Sequence, residues 1–295
     1  QAAELSVKAD RQHQKTVSLE GARGTIVDRH GKVLAMNVEV PSVFGVPNTV
    51  DSPLKTARQL SQILHVRTDE LERRLRQDRS FVWLARKLDP EQGRRLDRLS
   101  LDGIGVVMEG RRFYPKGPLL AHVLGFSGMD GEGLEGVEHR YESYLHGEKR
   151  MMVLQRDALG RTVFPKGMTE RSPTPGHSLA LTIDEVIQYI VERELENAVG
   201  RARAKSGTMI VLDPKTGAVL AMAVSPRFDP NAVSALSSDR WRNRALTDAY
   251  EPGSTMKTMM AAAAIEERVI KPNSMVFGEH GRMTVANTVI HDHER

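Results

Sequence analysis

An α+β fold in two domains is predicted by three observations. A helix-patterned stretch after Thr182 leads into an apolar antiparallel hairpin, Thr208–Leu212 and Ala218–Val224, an order that lays a helix on a sheet. The chain's 295 residues suffice for about two hydrophobic cores. Between the halves lies Pro165–His177, where Pro165, Gly167, Ser172, Pro173, Pro175 and Gly176 give the composition of a linker or domain crossing.

The elements follow in chain order. Residues 1–17 are polar and lack turn punctuation, as in a frayed helix or a stalk. Thr25-Ile26-Val27 and Lys32-Val33-Leu34-Ala35 flank the polar turn Asp28-Arg29-His30-Gly31, which predicts a hairpin. Residues 54–64 and 68–76 read as amphipathic helices, the first with Leu54, Ala57, Leu60 and Leu64 on one face. The apolar patch Phe81-Val82-Trp83-Leu84 precedes a charged helix that starts after Pro90. Gly103–Val107 predicts a short strand, Gly125–Gly136 a glycine-dense loop, and Val137–Leu145 a helix. Past the linker, Thr182 and Glu185 form a capping-box pattern. Ile183, Val186, Ile187, Ile190, Val191, Leu195 and Ala198 then recur at helical spacing. Asp213-Pro214-Lys215-Thr216-Gly217 is the turn of the following hairpin.

Composition excludes several classes. With no Cys there is no disulfide framework, thiolate nucleophile or Cys-based metal site. The longest apolar runs, Ala218–Val224 and Met259–Ile265, fall far short of the roughly 20 residues of a membrane span. The net charge of +4 is spread among interleaved acids, as in Glu70-Leu71-Glu72-Arg73-Arg74, and aromatics are only 5%. That pattern is a solvated surface, and no nucleic-acid partner is expected.

The segment richest in chemistry is Tyr250-Glu251-Pro252-Gly253-Ser254-Thr255-Met256-Lys257-Thr258, running into Met259–Ile265. Pro252 and Gly253 make a turn, and Ser254 opens a helix that is apolar on nearly every side, the pattern of a buried helix. Ser254 and Lys257 lie three apart and share a face. Burial of an amine favours its neutral form, and a neutral amine beside a hydroxyl is a base next to a nucleophile. The helix's free N–H groups can also face a developing oxyanion. The structural alternative is a capping Ser254 with Lys257 reaching solvent. Ser52-Pro53-Leu54-Lys55 has the same spacing without catalytic context, so the motif alone does not decide.

Other clusters carry less. His291-Asp292-His293-Glu294 reads as a polar terminus rather than a metal site. Asp130-Gly131-Glu132-Gly133 lacks the alternating oxygens of a calcium loop and reads as a turn. The Met residues near 256–260 read as core filler. No cofactor and no metal are expected.

Six segments in order resemble the class B penicillin-binding proteins. They are Arg23-Gly24-Thr25-Ile26-Val27-Asp28-Arg29-His30-Gly31 with Leu34-Ala35; Arg112-Phe113-Tyr114-Pro115; His122-Val123-Leu124-Gly125-Phe126; Gly133-Leu134-Glu135-Gly136; Asp213-Pro214-Lys215-Thr216-Gly217; and Glu251-Pro252-Gly253-Ser254-Thr255-Met256-Lys257. Phe81-Val82-Trp83-Leu84 and Gln155-Arg156-Asp157-Ala158-Leu159-Gly160-Arg161 look more like the division-septum branch than the elongation branch. The resemblance implies a membrane-proximal stalk (1–20), a mixed pedestal or dimerisation domain (21–170) and the N-terminal part of a serine β-lactamase-like transpeptidase domain (177–295). It implies a D,D-transpeptidase in which Ser254 is the nucleophile and Lys257 the general base. Peptidoglycan stem peptides are the implied substrates and β-lactams the implied inhibitors. A membrane glycan polymerase of the SEDS family and other divisome proteins are the implied partners. The implied location is the outer, periplasmic face of the cytoplasmic membrane, anchored by an N-terminal helix that the chain does not contain.

The family also uses a Ser-x-Asn element and a Lys-Thr-Gly strand downstream of the nucleophile, and neither occurs between Ser254 and Arg295. The Lys215-Thr216-Gly217 triplet precedes the nucleophile and sits in a turn. The resemblance therefore implies a chain cut short inside the transpeptidase domain and inactive by itself. The rival readings are a non-catalytic divisome assembly module, an elongation-type relative, and a β-lactamase or β-lactam sensor sharing Ser254 and Lys257. The long pedestal argues against either the assembly module or the β-lactamase or sensor being the whole story.

Overall fold

The computed structural model describes residues 14–99, 101–156, 162–163, 174–233 and 237–293. Strand β1 (Gln14–Glu20) pairs with β6 (Lys149–Arg156), which also pairs with β7 (Thr162–Val163). The expected hairpin is present: β2 (Ile26–Val27) runs antiparallel to β3 (Val33–Gly45), with Gly31 in the left-handed region at the turn. Strand β3 is the spine of the pedestal. It carries β4 (Val82–Ala85) near its end and β5 (Ile104–Phe113) along its length, from Met36–Phe113 to Gly45–Ile104. The sequence predicted a strand only to Val107. Glu109, Gly110, Arg111 and Arg112 interrupt the apolar alternation, but pairing with β3 holds them extended.

Helices α1 (Pro53–Leu64), α2 (Thr68–Leu75) and α3 (Pro90–Leu99) cover one face of that sheet. Ala57, Leu60 and Leu64 of α1 meet Leu71, Leu75, Leu84, Leu96 and Val43 in one core. Leu54, expected on the same face, is exposed because it sits in the first turn, beyond the sheet's cover. Helix α1 stops at His65, whose left-handed conformation takes its N–H back to the Ser61 carbonyl.

A second core lies at the pedestal's base. Ile26, Leu34, Tyr114, Leu120, Leu124 and Leu145 pack with Ile183 and Phe228, so residues before and after the Pro/Gly-rich stretch share one apolar cluster. Residues 165–173 of that stretch lie outside the described residues. From Thr174 onward the backbone is stitched to the base: Gly176 N–H donates to the Ala22 carbonyl at 2.9 Å and Leu179 N–H to Thr25 at 2.9 Å. A Cβ on Gly24 would sit 1.9 Å from the His177 carbonyl oxygen, so the close approach of the two segments requires glycine there. Strand β8 (Leu179–Ala180) then adds to β2 in parallel.

Short helices α4 (Ala121–Leu124), α5 (Gly136–Arg140) and α6 (Glu142–Leu145) complete the base. The single helix expected over Val137–Leu145 is broken at Tyr141, which leaves helical geometry (φ −108°, ψ 26°). The carboxyls on either side of the break both turn to Arg23. Its Nε donates to Glu138 Oε2 at 2.6 Å and its Nη1 to Glu142 Oε2 at 2.6 Å. From the opposite side Arg112 Nε donates to Glu138 Oε1 at 2.6 Å and Nη1 to the Gly24 carbonyl at 2.7 Å. Glu138 is completely buried. Burial works against the charged Arg23, but Glu138 and Glu142 outweigh it and raise its pKa. Burial first, then Glu138, likewise raises that of the Tyr114 hydroxyl, which stays a donor beside the hub.

Helix α7 (Glu185–Ala202) lies on the antiparallel pair β9 (Gly207–Leu212) and β10 (Val219–Ser225). Its cap is Asp184, whose carboxylate accepts from the Val186 and Ile187 N–H groups. Thr182, expected in that role, instead donates its hydroxyl to the Val219 carbonyl at 2.7 Å, which ties the approach to β10. Val191 and Leu195 face the hairpin as expected, whereas Val186 and Ile190 are exposed, because two strands cover only one side of the helix. Gln188 is buried there by a reciprocal pair of bonds with the Met222 backbone, at 2.8 and 2.9 Å.

The β2–β3 turn meets the start of α7 through Asp28, which is almost fully buried and accepts from His30, Lys32 and Glu185 N–H groups. Burial opposes the charge, but the three backbone donors outweigh it and lower its pKa. A depressed carboxylate stabilises above its unfolded value, about 3.9, and that contribution is lost as pH falls through the folded value. Asp28→Asn is therefore expected to cost about 1–2 kcal/mol at neutral pH. Variant and parent should converge in acid, below the folded-state titration. Urea melts across that range check this; a constant gap at all pH would contradict it.

The chain divides into two units, and the second, Asp248–Arg295, is described by itself. It holds helix α10 (Thr255–Glu266) and a hairpin of β11 (Arg282–Val285) and β12 (Thr288–His291). Helices α8 (Ser238–Trp241) and α9 (Arg244–Thr247) close the first unit. Among the described residues no helix is long and apolar enough to cross a membrane.

Candidate active site

Pro252 and Gly253 make the turn that was expected, with Gly253 at φ +54°, and the chain enters α10 at Ser254. The entry is tight. Thr255, Met256 and Lys257 N–H groups donate to the carbonyls of Pro252, Gly253 and Ser254 at 3.2, 3.2 and 3.1 Å. Those three amides are spent on the turn, which limits the free N–H groups expected to face an oxyanion. The Ser254 amide has no acceptor among the described residues and is the one left to face a ligand.

Ser254 occupies the cap position, but with helical torsions (φ −65°, ψ −17°) and no side-chain capping bond. A capping serine normally takes extended torsions and binds an amide two or three residues on. The capping bond of that alternative is absent and the hydroxyl is uncommitted, while Lys257 reaches solvent as the alternative has it. Lys257 lies one turn later, and both side chains are exposed. No hydrogen bond joins hydroxyl to amine among the described residues.

The expected burial of α10 is corrected. None of its residues is buried, and Met259 and Met260 are 64% and 67% exposed. A helix apolar on all sides needs cover on all sides, and one two-stranded hairpin in the same unit cannot give it. The Met residues near 256–260 are thus not core filler in these 295 residues.

The remaining sequence candidates separate clearly. Lys215-Thr216-Gly217 forms the β9–β10 turn, where Asp213 accepts from the Lys215 N–H at 2.9 Å and the Thr216 hydroxyl at 2.8 Å. Asp130 is in a turn and binds Arg86 Nη1 at 2.6 Å. His291 ends β12 and is exposed, while Glu294 lies outside the described residues. Among the described residues no group of three or more His, Asp or Glu could hold a metal ion. Glu138, the most buried acid in the molecule's base, carried no signal in the sequence beyond its place in a short charged helix.

The penicillin-binding protein dimerisation domain matches residues 18–181, and the penicillin binding protein transpeptidase domain matches residues 207–295. The peptidoglycan D,D-transpeptidase FtsI of Escherichia coli K12 is 34% identical over 92% of this chain and 47% of its own length. The probable peptidoglycan D,D-transpeptidase PenA of Neisseria meningitidis serogroup A is 38% identical over 89% and 46%. Stage V sporulation protein D of Bacillus subtilis is 34% identical over 92% and 43%. A crystal structure of a peptidoglycan synthetase from Bifidobacterium adolescentis superposes with a TM-score of 0.64 at 26% identity, over 95% of this chain and 56% of that one. The chain spans about half the length of the curated relatives it matches. With a dimerisation domain ahead of a transpeptidase segment, the chain belongs to the class B penicillin-binding proteins.

Proposed function

We propose that the protein carrying these residues is a serine D,D-transpeptidase that cross-links peptidoglycan stem peptides, in septal wall synthesis during division. Ser254 Oγ attacks the penultimate D-Ala carbonyl, Lys257 takes the hydroxyl proton, and the terminal D-Ala leaves with a proton. An amine of a neighbouring stem then attacks the ester, releasing Ser254 and forming the cross-link. β-Lactams acylate the same oxygen. The observation that carries this reading is the uncommitted Ser254 hydroxyl at the head of α10, its own amide free and Lys257 one turn on.

In this reading residues 1–20 are a stalk, 21–170 the pedestal and 177–295 the beginning of the transpeptidase domain. The protein works on the outer face of the cytoplasmic membrane, held by an N-terminal helix, beside a SEDS-family glycan polymerase and other divisome proteins. The test is to map the adduct of a fluorescent penicillin on the full-length protein. After tryptic digestion the label should lie on Ala245–Lys257, and fragmentation should assign it to Ser254 rather than Thr247 or Thr255. Label on another peptide, or none, overturns the assignment.

A further inference from the structure

A cleft of about 730 Å³ opens between the pedestal's base and the helices that close the first unit. Val123, Val137, Tyr141, Met222, Trp241 and Leu246 make its walls apolar, and its volume lies in the range of small-ligand sites. Nothing in the proposed acyl transfer uses it.

Its polar groups are mostly spent. His122 Nε2 lies 3.2 Å from the Arg240 carbonyl oxygen, and burial holds the ring below the usual imidazole range, so it contributes no charge. Asp239 takes Arg244 Nη2 at 2.9 Å and Arg242 at 3.8 Å. Asn243 donates to the His122 carbonyl at 3.1 Å and accepts from the Ala245 N–H at 3.2 Å. Two ionic groups remain. Glu135 and Arg140 both line the cleft, and neither has an ion pair or a side-chain hydrogen bond among the described residues.

Glu135 caps the start of α5 and Arg140 is its last residue. The helix is five residues long, so the carboxylate and the guanidinium are rooted at its two ends. From this pairing of opposite unpaired charges with an apolar wall we infer that the cleft binds a short zwitterionic peptide with apolar side chains. Its ammonium lies against Glu135, its carboxylate against Arg140, and a side chain packs on Trp241.

The chain has two Trp, so Trp83→Phe leaves Trp241 as sole reporter at the cleft. Titrating that protein with the dipeptide Leu-Phe should give a saturable fluorescence change, with a dissociation constant of about 1 mM or tighter. Acetylating the amine should weaken binding roughly tenfold, and amidating the carboxylate by a similar factor. Glu135→Gln should weaken the free dipeptide and leave the acetylated one unchanged; Arg140→Gln should do the same for the free and amidated forms. Both side chains are exposed and make no fold contact, so the variants stay folded. No saturable signal, or binding indifferent to both blocked ends and both variants, overturns the proposal.

Discussion

Glu138→Ala should destabilise the first unit by about 3–5 kcal/mol, the cost of breaking a buried ion pair from one side. The reason is the arrangement rather than the charge alone. Arg23 and Arg112 approach the two oxygens of one fully buried carboxylate from opposite sides, each at 2.6 Å. Without it two nearly buried guanidinium groups lose their shared carboxylate, and of the two Glu142 reaches Arg23 but not Arg112. A domain holds only about 5–15 kcal/mol in total, so the loss should be visible as a lowered urea midpoint in the 295-residue chain. Glu138→Gln keeps the shape and one acceptor and should lose less, while Asp69→Ala, which opens an exposed pair with Arg67 in the first turn of α2, should lose only a small fraction of that. A midpoint for Glu138→Ala equal to that of Asp69→Ala would refute this account of the base.

The same hub explains why the sequence was legible in some places and not in others. The β2–β3 hairpin, helix α1 and the β9–β10 hairpin rest on local signals: a glycine turn, three apolar residues on one helical face, and an Asx turn at Asp213. Those signals act within a few residues and can be read one segment at a time. Arg23 and Arg112 stand out in the sequence only as pieces of a family resemblance, and Gly133–Gly136 otherwise only as part of a glycine-dense loop. Their physical meaning needs Glu138, which stands 115 residues from Arg23. No periodicity encodes such a pairing. Thr182 departs from its expected capping role for the same reason: its hydroxyl answers to Val219, on the neighbouring strand, rather than to its own helix. The all-round apolar character of α10 predicts burial, and residues Asp248–Arg295 do not provide it.

In the full-length protein, Ser254→Ala should abolish covalent labelling by a fluorescent penicillin, and Lys257→Ala should slow it about 10²–10⁴-fold, the usual worth of a positioned general base. Neither change should move the unfolding midpoint of the 295-residue chain. Both side chains are exposed, Ser254 makes no capping bond, and no residue of α10 is buried, so no packing is lost there. Chemistry and fold are thereby separated. The sharper variant is Lys257→Arg. Arginine keeps the positive charge and nearly the same reach, but its guanidinium does not give up a proton near neutral pH and cannot serve as the base. If Lys257 acts by taking the Ser254 proton, Lys257→Arg should label as slowly as Lys257→Ala. If Lys257 only supplies a cation that attracts the β-lactam carboxylate, Lys257→Arg should label nearly as fast as the parent. The first result is expected, because a serine hydroxyl without a base is a poor nucleophile, whereas one attractive charge at an exposed position changes binding only modestly.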